Sequence, residues 1–149
     1  MTAGLPGSVL FACGENRIRS PMAEGIMKLL HGRRVYVDSV GVRSGGEADG
    51  FAVAVMDEIG VDLSRHRPKS FDDLADDYFD VVVSLSPEAQ HRAVELTRSS
   101  SCEIEYWPTP DPSFAEGNRE ARLEAYRGLR ALLYRRIRER FPTAAAPRV

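Results

Sequence analysis

Residues 9–21 read VLFACGENRIRSP. An apolar run climbs to Cys13, a polar loop follows, and Arg19-Ser20-Pro21 opens a stretch with helical periodicity. The run over residues 8–12 is rich in β-formers and predicts a strand that ends at the loop. Pro21 stands where the first turn of a helix tolerates proline. Met22, Ala23, Ile26, Met27, Leu29 and Leu30 then recur at helical spacing until Gly32 stops them. A loop between a strand's end and a helix's start can turn successive backbone N–H groups towards one point. Gly14, Glu15, Asn16, Arg17 and Ile18 would thereby form an anion cradle, reinforced by the positive end of the helix dipole. A cysteine at the base of such a cradle is expected to react as a thiolate. Arg19 adds a planar fork that matches two oxygens of a phosphate-like ligand, and Ser20 offers a hydroxyl to the sulfur or to an oxyanion. Nucleophile, cradle and clamp in one short loop suit attack on phosphorus, where catalysis is mostly positioning and charge stabilisation.

The rest of the chain alternates strands and helices. RVYVDSV (34–40) reads as a second strand, bounded by Gly41 and a turn at Gly45 and Gly46, and FAVAVMDEIG (51–60) as a helix closed by glycine. DVVVSL (80–85) is the continuous apolar strand of a parallel sheet, a helix follows over 87–97, and CEIEYW (102–107) is a fourth strand. Three prolines in PTPDPSFAEGN (108–118) exclude a helix or a central strand. Leu123, Tyr126, Leu129, Leu133, Ile137 and Phe141 then stripe a long helix, whose arginines 127, 130, 135, 136, 138 and 140 are expected on a solvated face. The pattern predicts an α/β fold: a single domain over 1–149 with a four-stranded parallel sheet, helices on both faces and a phosphate-binding loop after the first strand. Residues 1–7 and 142–149 are expected to fray. Ligands in such folds bind beyond the carboxyl ends of the strands, where both the Cys13 loop and the proline loop fall.

Composition narrows the partners. A net charge of −2 over 149 residues argues against nucleic acid or an anionic membrane, and no apolar stretch is long enough to span one. The N-terminus lacks the regions of a signal peptide, and two cysteines make no disulfide framework, so the cytoplasm is the expected address. His31, His66 and His91 share no ligand spacing, so neither a metal nor another cofactor is expected. His31 is read as meeting the last carbonyls of its own helix, His66 as a solvated loop residue near the pocket rim, and Cys102 as a small core residue.

Cys13-Gly14-Glu15-Asn16-Arg17-Ile18-Arg19-Ser20-Pro21 resembles the phosphate-binding loop of the low-molecular-weight protein tyrosine phosphatases, a family that includes arsenate reductases of the same fold. The family pattern is Cys-x-Gly-Asn-x-x-Arg-Ser-Pro after a hydrophobic strand. MAEGIMKLL (22–30), DSVGV (38–42), GVDLSRHRPKS (60–70), FDVVVSLS (79–86) and PTPDPSF (108–114) carry the likeness, in order, over nearly the whole chain. The resemblance implies Cys13 as nucleophile, Arg19 as clamp and Ser20 as the group that stabilises the departing thiolate. It implies a left-handed Asn16 hydrogen-bonded by Ser39, and Asp111 as general acid. The implied activity is hydrolysis of a phosphate monoester, in a phosphorylated protein or a small ester, through a cysteinyl-phosphate. Phosphate, sulfate, vanadate or arsenate would fit the same loop. An arsenate reductase using an external thiol and a phosphate reader with little turnover are the alternatives.

The chain departs from the family at several places. Glu15 stands where glycine is usual, so backbone strain is expected if that position has positive φ, with like-charge repulsion of a phosphate and weak or narrow activity. Ser113 leaves Phe114 as the one clear aromatic after Asp111, and the Gly45-Gly46 turn has none. Thioredoxin-coupled reductases need two further cysteines after VVVSL, where Leu85, Ser86 and Arg92 stand instead.

Overall fold

The opening apolar run becomes the inner strand β1 (Ser8–Cys13) of a four-stranded sheet. The computed structural model describes residues 5–74, 78–98 and 100–143. β2 (Tyr36–Gly41) and β3 (Val81–Ser84) flank β1, and β4 (Glu103–Tyr106) pairs outside β3. All pairings are parallel, in the order β2-β1-β3-β4. The second strand starts two residues later than its apolar pattern suggests, because the N–H groups of Arg34 and Val35 turn back to the carbonyl of His31.

Helices α1 (Arg19–His31), α2 (Gly50–Asp57), α3 (Pro87–Leu96) and α4 (Arg119–Arg140) cover both faces. The pleat of β1 divides the core between them. Val9, Phe11 and Cys13 join the apolar residues of α1, α2 and α4, whereas Leu10 and Ala12 join Ala89 and Ala93 of α3. Phe11 meets Trp107 edge-on at 6.1 Å, and the whole stripe of α4, from Leu123 to Phe141, is buried. Burying side chains of this size contributes about 1.5–3 kcal/mol each, so the phosphate-loop strand is also the strand the core is built on.

Residues 5–7 and Phe141 are held to the domain. Residues 1–4 and 144–149 lie outside the described residues. Leu5 packs on the core, Gly7 N donates to Asp80 Oδ2 at 2.7 Å, and the Gly7 carbonyl accepts from Tyr36 N. Phe141 is fully buried, and its carbonyl takes a 2.7 Å hydrogen bond from His31 Nε2. His31 therefore serves the end of α4, not of its own helix.

The arginines of α4 are also more engaged than a solvated face requires. Arg127 and Arg130 both donate to Glu58 beyond the end of α2, Arg140 bridges Glu103 and Glu105 on edge strand β4, and Arg136 lies over the Trp107 ring. The periodicity of α4 shows which residues leave the core, and it carries no information about what they then meet.

Hydrogen bonds from Arg127 and Arg130 hold the Glu58 carboxyl down to about 2. A depressed acid stabilises the folded state above its unfolded pKa of about 4.5 and loses that contribution as pH falls towards 2. Glu58→Gln is accordingly expected to lower the urea midpoint at pH 7, with the gap to wild type closing between those two pH values. High salt should narrow it, since Glu58 is half-exposed. A gap independent of pH would place the effect of the substitution in packing.

Candidate active site

The loop from Cys13 to Arg19 is shaped by where its carbonyls go. Cys13 O accepts from Val42 N at 3.0 Å, Gly14 O from Arg43 N at 3.0 Å, Glu15 O from Gly45 N at 3.1 Å and Arg17 O from Asp49 N at 3.1 Å. Asn16 O takes its bond from His66 Nε2 at 2.9 Å. A trans peptide puts each carbonyl opposite the following N–H. Five outward carbonyls therefore turn the N–H groups of Gly14, Glu15, Asn16, Arg17 and Ile18 to the inside of the loop, and the Asn16 N–H reaches Cys13 Sγ at 3.3 Å. The first turn of α1 continues the cradle. Side chains of Asp49, Ser86 and Asn118 cap α2, α3 and α4, but α1 has no side-chain cap and no acid in its first turn.

Asn16 pins the loop from within. It is the one non-glycine residue with positive φ among the described residues, at 59°, a shape asparagine tolerates. Its fully buried side chain donates from Nδ2 to Ser20 Oγ at 2.8 Å and Ser39 Oγ at 2.9 Å, while Oδ1 accepts from Lys69 N at 2.9 Å. Ser20 Oγ lies 3.0 Å from Cys13 Sγ, and Ser39 Oγ donates to Glu24 Oε1 at 2.5 Å. The Asn16–Ser39 contact is the one the resemblance implied.

Cys13, Gly14, Glu15, Arg17, Ile18 and Arg19 line one cleft of about 620 Å³ with Asp111 and Phe114. Arg19 Nη1 donates to Thr109 O at 2.9 Å, which fixes the guanidinium against the proline loop. Asp111 caps the short 3₁₀ turn Pro112–Phe114. Its Oδ1 takes bonds from Ser113 N at 2.9 Å and Ser113 Oγ at 2.7 Å. Arg43 crosses the mouth to Glu88 with two hydrogen bonds. Phe114, 81% exposed, is the one aromatic that lines the cleft among the described residues.

The condition for strain at Glu15 is not met, because its φ is not positive. Its carboxylate lies 3.7 Å from Arg43 Nε and 4.0 Å from Arg17 Nη1, which offsets its charge at the rim.

Several supports were not singled out in the sequence. A Cβ on Gly41 would stand 2.8 Å from Asn16 N, and one on Gly45 would stand 2.6 Å from Arg17 Cδ, so both glycines permit the close approach of the segment that receives the carbonyls. His66 is a loop support rather than a solvated residue, and Lys69 acts through its backbone. The glycine-rich turn and the basic cluster were visible signals, but nothing local tied them to Cys13. Cys102 is half-buried beside Ile104, and burial, Asp80 and Glu103 push its thiol pKa up. No group of three or more histidine, cysteine or acidic side chains placed to hold a metal occurs among the described residues.

This geometry agrees with what the chain resembles. Residues 8–141 match the model of the family described as low molecular weight phosphotyrosine protein phosphatase. The chain belongs to that family. It is 33% identical over 130 residues to the arsenate reductase of Halalkalibacterium halodurans, covering 87% of this chain and 91% of the relative. A glutaredoxin arsenate reductase of Synechocystis is 38% identical over 77 residues, a match that spans 52% of this chain and only 58% of that protein. Among solved structures, an arsenate reductase in the phosphate binding state superposes with a TM-score of 0.69 at 29% identity, over 89% of this chain and 94% of its own. The family thus joins phosphatases and arsenate reductases on one fold. No helix among the described residues is long and apolar enough to cross a membrane.

Asn16→Ala removes three side-chain hydrogen bonds from a buried left-handed residue. The expected cost is about 2–4 kcal/mol of stability in urea denaturation, and phosphate should no longer shield Cys13 from iodoacetate. A variant with wild-type stability and intact shielding would show the loop to be held by its carbonyl contacts alone.

Proposed function

We propose that the protein hydrolyses phosphate monoesters through a cysteinyl-phosphate on Cys13. One observation carries this reading over the reductase one: the position of the second thiol. Cys102 immediately precedes β4, whose Glu103 is level with Val81 and Val9 across the sheet. Cys13 ends β1 at the other end, roughly 15 Å along the strand direction at about 3.3 Å per residue. A disulfide needs Cα atoms within about 7 Å, so Cys102 does not serve as a resolving thiol for Cys13.

In this reading a phosphoryl group sits on the inward N–H groups, held by Arg19. Cys13 sulfur attacks phosphorus, the ester P–O bond breaks, and the leaving oxygen takes a proton from Asp111. Ser113 occupies Oδ1 of Asp111, so the transferred proton belongs on Oδ2. Water then attacks the cysteinyl-phosphate, Asp111 takes its proton back, and Ser20 donates to the departing thiolate. Two free thiols suit the reducing cytoplasm.

The reductase reading has its own support in the three arsenate reductases named above. It requires an external thiol. Cys13 sulfur would bond to arsenic as an arsenate oxygen leaves as water; that thiol would then attack the Cys13 sulfur, the S–As bond would break with its electron pair left on arsenic, and arsenite would leave as a mixed disulfide forms.

A side-by-side assay of aryl phosphate hydrolysis and of arsenate reduction, with glutathione, glutaredoxin or thioredoxin as donors, decides between them. Phosphate release is expected without any thiol donor and should vanish in Cys13→Ser. Asp111→Asn should lower the rate of cysteinyl-phosphate formation by about 10²–10⁴-fold for alkyl esters and much less for nitrophenyl phosphate. Arsenite production with negligible phosphate release would overturn the proposal. Equal leaving-group dependence in both proteins would remove Asp111 from the acid role.

A further inference from the structure

The basic cluster Arg65-His66-Arg67 is only partly explained by its service to the loop. His66 gives its Nε2 hydrogen to Asn16 O, but Arg65 and Arg67 are exposed and make no side-chain hydrogen bond or salt bridge among the described residues, Arg65 being only close enough to Asp62 to help hold that carboxyl pKa down. They line a second groove of about 880 Å³, larger than the cleft, with Glu47 as its acidic member. The groove and the cleft share a wall. Arg17 lines the cleft, and its Nε donates at 2.7 Å to the carbonyl of Glu47, which lines the groove.

Arg17 is built to receive something. Its stem lies where a Cβ on Gly45 would stand, and the Glu47 carbonyl occupies Nε, which fixes the plane of the guanidinium. Its Nη groups have only Glu15 nearby, at 4.0 Å, a separation too long for a hydrogen bond. A permanent cation thus stands at the boundary between the phosphate cradle and a groove that carries two more. Arg19 suffices as clamp for a lone phosphate, so the further cations call for further negative charge on the ligand.

We propose that the cleft and this groove form one extended site for a phosphorylated protein segment with acidic residues beside the phosphorylated residue. Arg17 receives the nearest carboxylate, and Arg65 and Arg67 receive those beyond it. The proposal rests on the phosphatase reading and names its substrate class. An extended peptide advances roughly 3.3 Å per residue, so a few flanking residues suffice to pass the Arg17–Glu47 wall. The groove offers more room than a small ester uses.

The test is a fluorescence anisotropy titration of the Cys13→Ser protein, in which binding is read without turnover. The probes are a phosphotyrosine peptide flanked on both sides by glutamate, its alanine-flanked twin, and the glutamate peptide without phosphate. The acidic phosphopeptide is expected to bind about tenfold tighter than its neutral twin at low salt, with the advantage shrinking as salt rises. Arg65→Glu with Arg67→Glu should bring that ratio to within about twofold, and Arg65→Ala with Arg67→Ala should lower it part of the way. Arg17→Ala should lower it as well. Equal affinity for the two phosphopeptides, or an advantage that survives charge reversal, overturns the proposal. So does an unphosphorylated acidic peptide that binds as tightly as the phosphorylated one, because the groove would then be a separate site. Wild-type protein releasing no phosphate from either peptide would remove the hydrolytic reading, while the affinity ratio would still decide recognition.

Discussion

The outward hydrogen bonding of five successive carbonyls, from Cys13 to Arg17, is the constraint on which the rest depends. Inward N–H groups repel one another and go unpaired without an anion, so a loop of this shape has to be held from outside. The holders come from three places: the segment after β2, the Asp49 turn and the His66 loop. An isolated bridge between Gly41 and Ser70 ties the His66 loop to the same strand end. Asp49 then carries the restraint further, because its carboxylate caps α2 and accepts from the buried Tyr126 hydroxyl at 3.2 Å. The last helix, α4, thereby supports the cradle without lining the cleft.

What the sequence made legible follows from how local each feature is. The strand, loop and helix around Cys13 could be read because the apolar run, the polar gap and Pro21 are neighbours in the chain. Asn16 and Ser39 were reached through resemblance, since they are 23 residues apart and meet only in the folded chain. Gly41 and Gly45 looked like strand punctuation. Their actual constraint is a close approach to Glu15, Asn16 and Arg17 from a distant part of the chain. Glu15 resolves a condition that its sequence left open. The family's glycine suggested a demanding backbone there, but the positive φ falls on Asn16 alone among the described non-glycine residues. A glycine position records which residue is tolerated, not which φ is occupied.

The cleft's charge distribution separates anchoring from selection. Arg19 is committed by its bond to Thr109 O, and with the N–H cradle it addresses any tetrahedral oxyanion. Glu15, Arg17, Arg43 and Glu88 form a rim of alternating sign, half-exposed and held by ion pairs of the kind that exchange easily in water. Selection among ligands that the cradle can hold would therefore fall to the rim and to Phe114, the one aromatic lining the cleft among the described residues. Aromatic stacking has a small part in it.

The buried network also reaches a residue outside the cleft. Glu24 Oε1 receives the Ser39 hydroxyl hydrogen, and its Oε2 pairs with Lys28 Nζ at 2.6 Å. With its hydrogen spent on Glu24, Ser39 Oγ can only accept from Asn16 Nδ2. The second hydrogen of Nδ2 goes to Ser20 Oγ, which must direct its own hydrogen elsewhere. Two acceptors are in reach: Cys13 Sγ at 3.0 Å and Val40 O at 3.3 Å, of which the sulfur is the nearer. Asn16 thus donates towards both serines, and the Ser20 hydroxyl is left to donate to Cys13 Sγ or to Val40 O.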